Sequence, residues 1–259
     1  MSNQFSAARF GRLFRKHTAE QGKGYLMSVG VLIGLLALVM GGNAYLQTGP
    51  MVPGQQAAYF GFFLVMAGLP FTGSIFAQLA DKKRAIGALM LPASHLEKYL
   101  VGWLYSFVLF TLVFTACFYL VISVVVQFDH LPGQPAQLLN IFTAEPSMLP
   151  IFLTYAFLHA IVIWGALFFG KQPLIRTGLV VFLALGLVFV LNTQLMKLLV
   201  DNISSPLVVP FGDVDLGIGK EHYQLALSEG SGKLVALVPI IMGLLFWVAA
   251  YFRVQEKEI

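Results

Sequence analysis

Six long apolar runs, each followed by a polar stretch, leave this chain few ways to fold. They are Tyr25 to Tyr45, Ala57 to Leu79, Leu100 to Val126, Leu149 to Phe169, Gly178 to Leu199 and Leu234 to Phe252. About 20 apolar residues in a helix cross the ~30 Å hydrocarbon layer of a bilayer, so each run can span with some tilt. Unpaired backbone groups cost several kcal/mol each in lipid, so runs of this length must be helical, and no alternating pattern of short segments points to a barrel. Composition agrees: 58% of the 259 residues are hydrophobic, 11% are charged and the mean hydropathy is +0.80, whereas a soluble domain carries roughly 25% charge. The expected fold is an all-α integral membrane protein of six transmembrane helices over residues 25–252.

Charge placement supplies an orientation. The net charge is +4, but the cations lie at the ends of apolar runs and form no tract of the kind that binds nucleic acid. Arg9, Arg12, Arg15, Lys16 and Lys23 precede the first run, and Lys82, Lys83, Arg84 and Lys98 separate the second and third. Lys171 and Arg176 follow the fourth, and Arg253 and Lys257 follow the last. Only Lys197, Lys220 and Lys233 fall on the other side. The positive-inside rule then puts both chain ends, including the tail 253–259, in the cytoplasm. Tyr25, Tyr45, Tyr99, Trp103, Trp247 and Tyr251 sit near run ends, as interfacial anchors do. Residues 1–24 are polar and basic and no small-residue cleavage site follows the first run, so that run is expected to stay in the protein. Cys117, the single cysteine, excludes disulfides within the chain and multi-cysteine metal sites. No metal site and no catalytic group are expected.

Two cytoplasmic segments carry more information than the spans. In residues 1–24 a helical wheel puts Ala7, Phe10, Leu13 and Phe14 on one face and Arg9, Arg12, Arg15 and Lys16 on the other. This predicts an amphipathic helix lying in the headgroup plane ahead of the first span, beginning after Phe5, with its aromatics among acyl chains; a plain topology anchor reads the same way. The second segment is the loop 80–99. It opens on Asp81, Lys82, Lys83 and Arg84, continues through Ile86, Gly87, Leu89 and Met90, and breaks at Pro92. Ser94 and Glu97 then have capping-box spacing, so the third helix is expected to start one to two turns before lipid. A short amphipathic helix, a turn and a rigidly capped span suit the docking of a soluble partner, and equally a tight connector.

Together, the basic amphipathic segment, six spans with both ends inside, and the loop carrying Gly87, Leu89-Met90-Leu91-Pro92-Ala93-Ser94 and Glu97-Lys98 resemble bacterial ABC transporter permeases of the type-2 exporter family. By motif the resemblance rests on residues 81–98, and the strongly basic cluster there departs from the family pattern. The resemblance implies a multi-pass protein of the bacterial inner (cytoplasmic) membrane, paired with a second permease chain, identical or related. It implies a soluble ATPase subunit that holds ATP and magnesium and contacts Asp81 to Met90, with Glu97 and Lys98 in support. No cofactor is expected on this chain. Gly230-Ser231-Gly232-Lys233 invites comparison with a phosphate-binding loop, but Leu227 and Leu234 stand where that loop needs Gly and Ser or Thr.

Within the spans no Asp, Glu, Lys or Arg is central, which argues against a proton relay. His159 is the one ionisable group near mid-membrane, read as a neutral histidine bonded to a neighbouring helix or, more sharply, as a pathway residue. Asn192 and Gln194, with Thr193, form a polar patch that suits interhelical bonding or a substrate exit. Pro70 marks a kink or hinge, and Gly30 and Gly34 have small-xxx-small spacing. The outer loops 127–148 and 200–233 are long, and the acids of the latter are too unpatterned for a calcium loop. Three functions follow: the permease of an ATP-driven exporter, with an unidentified cargo that the uncharged spans would suit as a hydrophobic molecule; a non-transporting scaffold or sensor with a permease-like fold; and an intramembrane enzyme built on His159, for which the sequence shows no partner carboxylate, serine–histidine pair or metal cluster at membrane depth.

Overall fold

The protein, seen in a computed structural model, is described over residues 5–47, 49–80, 94–129, 137–142, 147–169, 172–200, 209–210, 214–218, 221–225 and 229–256. It is all-α, with six helices long and apolar enough to cross a membrane: α1 Ala7–Leu46, α2 Pro53–Ala80, α3 His95–Phe128, α4 Leu149–Phe168, α5 Pro173–Leu199 and α6 Glu229–Glu256. Each contains or nearly coincides with one of the apolar runs. The chain is a multi-pass membrane protein.

The first helix differs from expectation. No separate in-plane helix precedes the span, because residues 7–46 form one continuous helix. At 1.5 Å per residue it is about 60 Å long, twice the hydrocarbon thickness. Its first half is built mostly of good helix formers and holds no proline, so only Gly11, Gly22 and Gly24 weaken it, by about 1 kcal/mol each. The apolar face of that half is also not free for acyl chains: Phe10, Leu13 and Phe14 pack against buried residues of the other helices, while Arg12, Arg15 and Lys16 stay exposed.

Two apolar clusters stack along the bundle. At the basic end, Phe76 of α2, Tyr99 and Tyr105 of α3, Ile163 and Leu167 of α4, and Ala250 of α6 form one. Farther along, Leu36 and Met40 of α1, Phe60 and Leu64 of α2, and Phe114 and Phe118 of α3 form the other. Helix α4 lies centrally, against α2, α5 and α6, whereas α1 rests mainly on α3 and barely meets α2. Helix α5 is exposed along most of its length, including Leu179, Phe182, Leu183 and Leu191, as a lipid-facing helix should be.

Local irregularities have identifiable causes. Pro70 stands inside α2 and removes one backbone donor; next to it the Thr72 hydroxyl donates to the Gly68 carbonyl at 2.8 Å and the Ser74 hydroxyl to the Phe71 carbonyl at 2.7 Å. Helix α3 carries a π-helical turn at Leu104–Leu109, which turns both Tyr105 and Ser106 into the interior. Between α5 and α6 two strands pair antiparallel, β1 Val214–Ile218 against β2 Glu221–Leu225, with Val214 opposite Leu225. Between α3 and α4 the segment 137–142 is held down by the buried Gln56, which donates to the carbonyls of Met51 and Gln137 and accepts from the Leu139 amide, at 2.8–2.9 Å. Gly30 and Gly34 face open space, so their spacing serves no contact among the described residues.

Glycine does matter where α4 meets α5. A Cβ on Gly165 would lie 1.9 Å from the Thr177 hydroxyl, whereas one on Gly186 of α5 would meet nothing. Gly165→Ala is therefore expected to cost about 1–3 kcal/mol through overpacking. Gly186→Ala should be neutral or stabilising by up to about 1 kcal/mol. Thermal unfolding of the detergent-solubilised protein measures both.

Candidate functional site

The capped start of α3 gathers the charged groups of the basic end. Ser94 takes an extended conformation ahead of the helix, and its hydroxyl accepts from the Glu97 amide at 3.3 Å. Glu97 Oε2 in turn accepts from the Ser94 amide at 3.0 Å, completing the expected capping box. The other carboxylate oxygen does more than cap. Glu97 Oε1 accepts from the Ser6 amide at 2.7 Å and from the Arg9 guanidinium at 3.2 and 3.4 Å. One side chain thus caps two helices: the first turn of α3 directly, and α1 through the residue at its N-cap position. Anions near helix N-termini are stabilised by the macrodipole, and Glu97 sits near two such ends.

Glu97 is completely buried, and Lys98 is buried beside it. Both lie ahead of the apolar run that starts at Leu100. Burial alone would raise the Glu97 pKa; the Ser6 and Ser94 amides and the Arg9 guanidinium together outweigh it and hold the carboxyl below its ordinary value. Of the loop residues singled out from sequence, Asp81, Lys82, Lys83, Arg84, Ile86, Gly87, Leu89, Met90 and Pro92 lie outside the described residues, while Ser94, Glu97 and Lys98 are placed.

About one to four turns farther along α1, a second set of contacts closes on Tyr105 in the π turn. Its ring lies 4.8 Å from that of Phe14, 4.5 Å from that of His17 and 5.8 Å from that of Tyr25, centre to centre. Its hydroxyl bonds the Thr18 hydroxyl, and His17 Nε2 bonds the Tyr25 hydroxyl at 2.7 Å. These residues were not legible as a group. Phe14 belonged to the amphipathic face and Tyr25 read as an anchor, but nothing in the spacing of α3 announces a π turn that aims Tyr105 at them.

Midway along α4 the structure pairs His159 with a serine, which the sequence did not show. Ser106 Oγ lies 3.0 Å from His159 Nε2, and the Trp247 indole N–H donates to His159 Nδ1 at 3.3 Å. Indole can only donate, so Nδ1 is the acceptor and Nε2 carries the proton of a neutral ring. His159 therefore donates to Ser106, whose hydroxyl turns to the Trp103 carbonyl at 3.4 Å. That direction is opposite to the one a serine nucleophile needs, since its base must receive the proton. His159 and Ser106 are also fully buried, so the pair joins α3, α4 and α6 as an interhelical bond.

The remaining polar residues do not join it. Gly165 of α4 lies against Thr177 of the antiparallel α5, which places Asn192 about 13 Å beyond His159 along the helix axes. Thr193 is buried there, whereas Gln194 is exposed. The segment Gly230 to Lys233 lies within the first turns of α6 instead of in a loop before a helix. Among the described residues no group of His, Cys, Asp or Glu could hold a metal ion. Comparison with protein-family models, curated proteins and solved structures finds no match.

Removing the Glu97 carboxylate is expected to free the first turns of α1. Hydrogen bonds to a charged group contribute about 1.5–3 kcal/mol, so Glu97→Ala should mobilise a spin label at Gly11→Cys while leaving α3 beyond Leu100 folded. Because the folded carboxyl has a lowered pKa, its contribution is complete above the ordinary carboxylate value and is lost as pH falls through the folded one. The label in the wild type should thus stay immobile at neutral pH and loosen only below about pH 4.

Proposed function

We propose that this chain is the membrane-spanning permease subunit of an ATP-driven exporter of the ABC type-2 class, working as a pair with an identical or related chain and powered by a separate ATPase. The observation that carries the reading is the Glu97 junction. The segment 81–93 ends at Ser94, the N-cap residue of α3, and the same carboxylate that closes that cap holds Ser6 and Arg9 of the first helix. A displacement of the segment by a soluble partner would reach two spanning helices at once, because both helix starts depend on one side chain. The basic residues Lys82, Lys83 and Arg84 would meet an acidic surface on the ATPase. Pro70, where α2 lacks a backbone donor, would serve as the hinge. The polar groups Asn192 and Gln194 would belong to the exit side, and His159 to the frame that the moving helices work against.

In this reading Glu97 is a positioning residue and the cargo is unidentified. Purification of the native complex from membranes in mild detergent is expected to bring down a soluble ATPase in stoichiometric amount. Reversal of charge at Lys82, Lys83 and Arg84 should weaken that association by about tenfold or more, the equivalent of ~1.4 kcal/mol. Glu97→Ala should leave the ATPase bound while lowering cargo-stimulated turnover. An intact complex recovered repeatedly without any ATPase contradicts the proposal.

A further inference from the structure

Between α1, α2 and α3 lies a cavity of about 440 Å³, in the size range of small-ligand sites. It exists because α1 leans on α3 and barely meets α2, so its mouth opens sideways between α1 and α2, past the exposed Ser28, Pro70 and Ser74. Its two ends differ. Tyr25, Ser28, Ser74 and Tyr105 line the end nearer the basic side, and Leu32, Ala67, Val113 and Phe114 line the deeper end. From Tyr105 to Phe114 the wall runs about 13 Å along α3, less than half the ~30 Å hydrocarbon thickness, so the cavity belongs to one leaflet.

Water is a poor occupant. A buried water needs two to four polar partners, whereas nine of the thirteen lining residues have no polar side chain and each of the four hydroxyls is already in a hydrogen bond. Tyr25 bonds His17, Tyr105 bonds Thr18, Ser28 donates to the Gly24 carbonyl at 3.0 Å and Ser74 to the Phe71 carbonyl at 2.7 Å. An empty space of this size would forfeit the dispersion contacts of its lining. We infer that the cavity holds one acyl chain of an acidic phospholipid from the leaflet on the basic side. The chain would enter between α1 and α2 with its tail against Leu32 and Phe114 and its ester end level with Tyr25 and Ser74. The headgroup then lies toward the end of α1 that exposes Arg12, Arg15, Lys16 and Lys23, which favours negative charge. The site needs neither an ATPase nor transport, so it stands or falls separately from the proposed function.

The test uses the full chain reconstituted in vesicles of equal parts phosphatidylglycerol and phosphatidylcholine, extracted in mild detergent and weighed intact by native mass spectrometry. About one retained diacyl phospholipid per chain is expected. The acidic lipid should be favoured about fivefold, the ratio that one surface cation supplies. Ala67→Phe and Val113→Phe, which each put a bulky ring into the deeper end of the cavity, should each reduce retention about tenfold. Val124→Phe, on the exposed face of the same helix α3, should leave retention unchanged. A thermal midpoint within a few degrees of wild type identifies variants that fold, and either cavity variant alone suffices. Folded wild type without lipid, equal retention by folded cavity variants and Val124→Phe, or a bound mass matching only detergent or a free fatty acid overturns the site. Equal retention of the two lipids overturns the acidic headgroup.

Discussion

A carboxylate withdrawn from water needs several donors at once, and at the basic end of this bundle Glu97 finds them at the starts of two helices, Ser6 being 91 positions away from it in sequence. The amide of Ser94 and the amide of Ser6 point at it because each stands at the start of a helix, where backbone donors lack intrahelical partners. Arg9 supplies the countercharge from the first turn of α1. Removing any one of these leaves the buried Glu97 carboxylate with an incomplete set of donors. The geometry of the basic end therefore depends on this one side chain: it fixes where α3 begins, and it holds the long first helix down on the bundle instead of leaving it among lipid headgroups.

Above that junction, polar groups act as fasteners and apolar ones as fill. Helix association in lipid has little hydrophobic drive, so interhelical hydrogen bonds and close packing decide which helices stay together. Here Ser106, His159 and Trp247 tie α3, α4 and α6, Gln56 ties the segment 137–142 to α2, and Gly165 lets α5 approach α4. Among the described residues the first helix has few such ties beyond Glu97 and Tyr105, and it leaves a gap beside α2 where the cavity forms. Tight fastening of α3, α4 and α6 with looser attachment of α1 is an arrangement in which the loose element can move against a frame.

Span number and the capping box were legible because each rests on a local rule: hydrocarbon thickness sets the length of the apolar runs, and Ser94 with Glu97 has the spacing that closes a helix start. Continuity of α1 was not legible. The wheel over residues 7–16 correctly separated Phe10, Leu13 and Phe14 from Arg12 and Lys16, but an apolar stripe does not say whether protein or lipid will cover it. The same limit hid the Ser106 and His159 pair, which are fifty-three positions apart and meet only through the register of α3 and α4, where the π turn carries Ser106 inward and the Tyr155 hydroxyl of α4 donates to the Ser106 carbonyl at 3.3 Å. Glu97 was legible as a capping residue, whereas its second role required the first helix to fold back over the start of the third.

The central claim is that Arg9 and Glu97 act as a coupled pair joining α1 to α3. A double-mutant cycle of Arg9→Ala, Glu97→Ala and both, read by thermal unfolding in detergent at neutral pH, measures that coupling without reference to any partner or cargo. The account predicts an interaction energy of about 0.5–3 kcal/mol, the range for residues in direct contact. Strict additivity of the two single substitutions would contradict it.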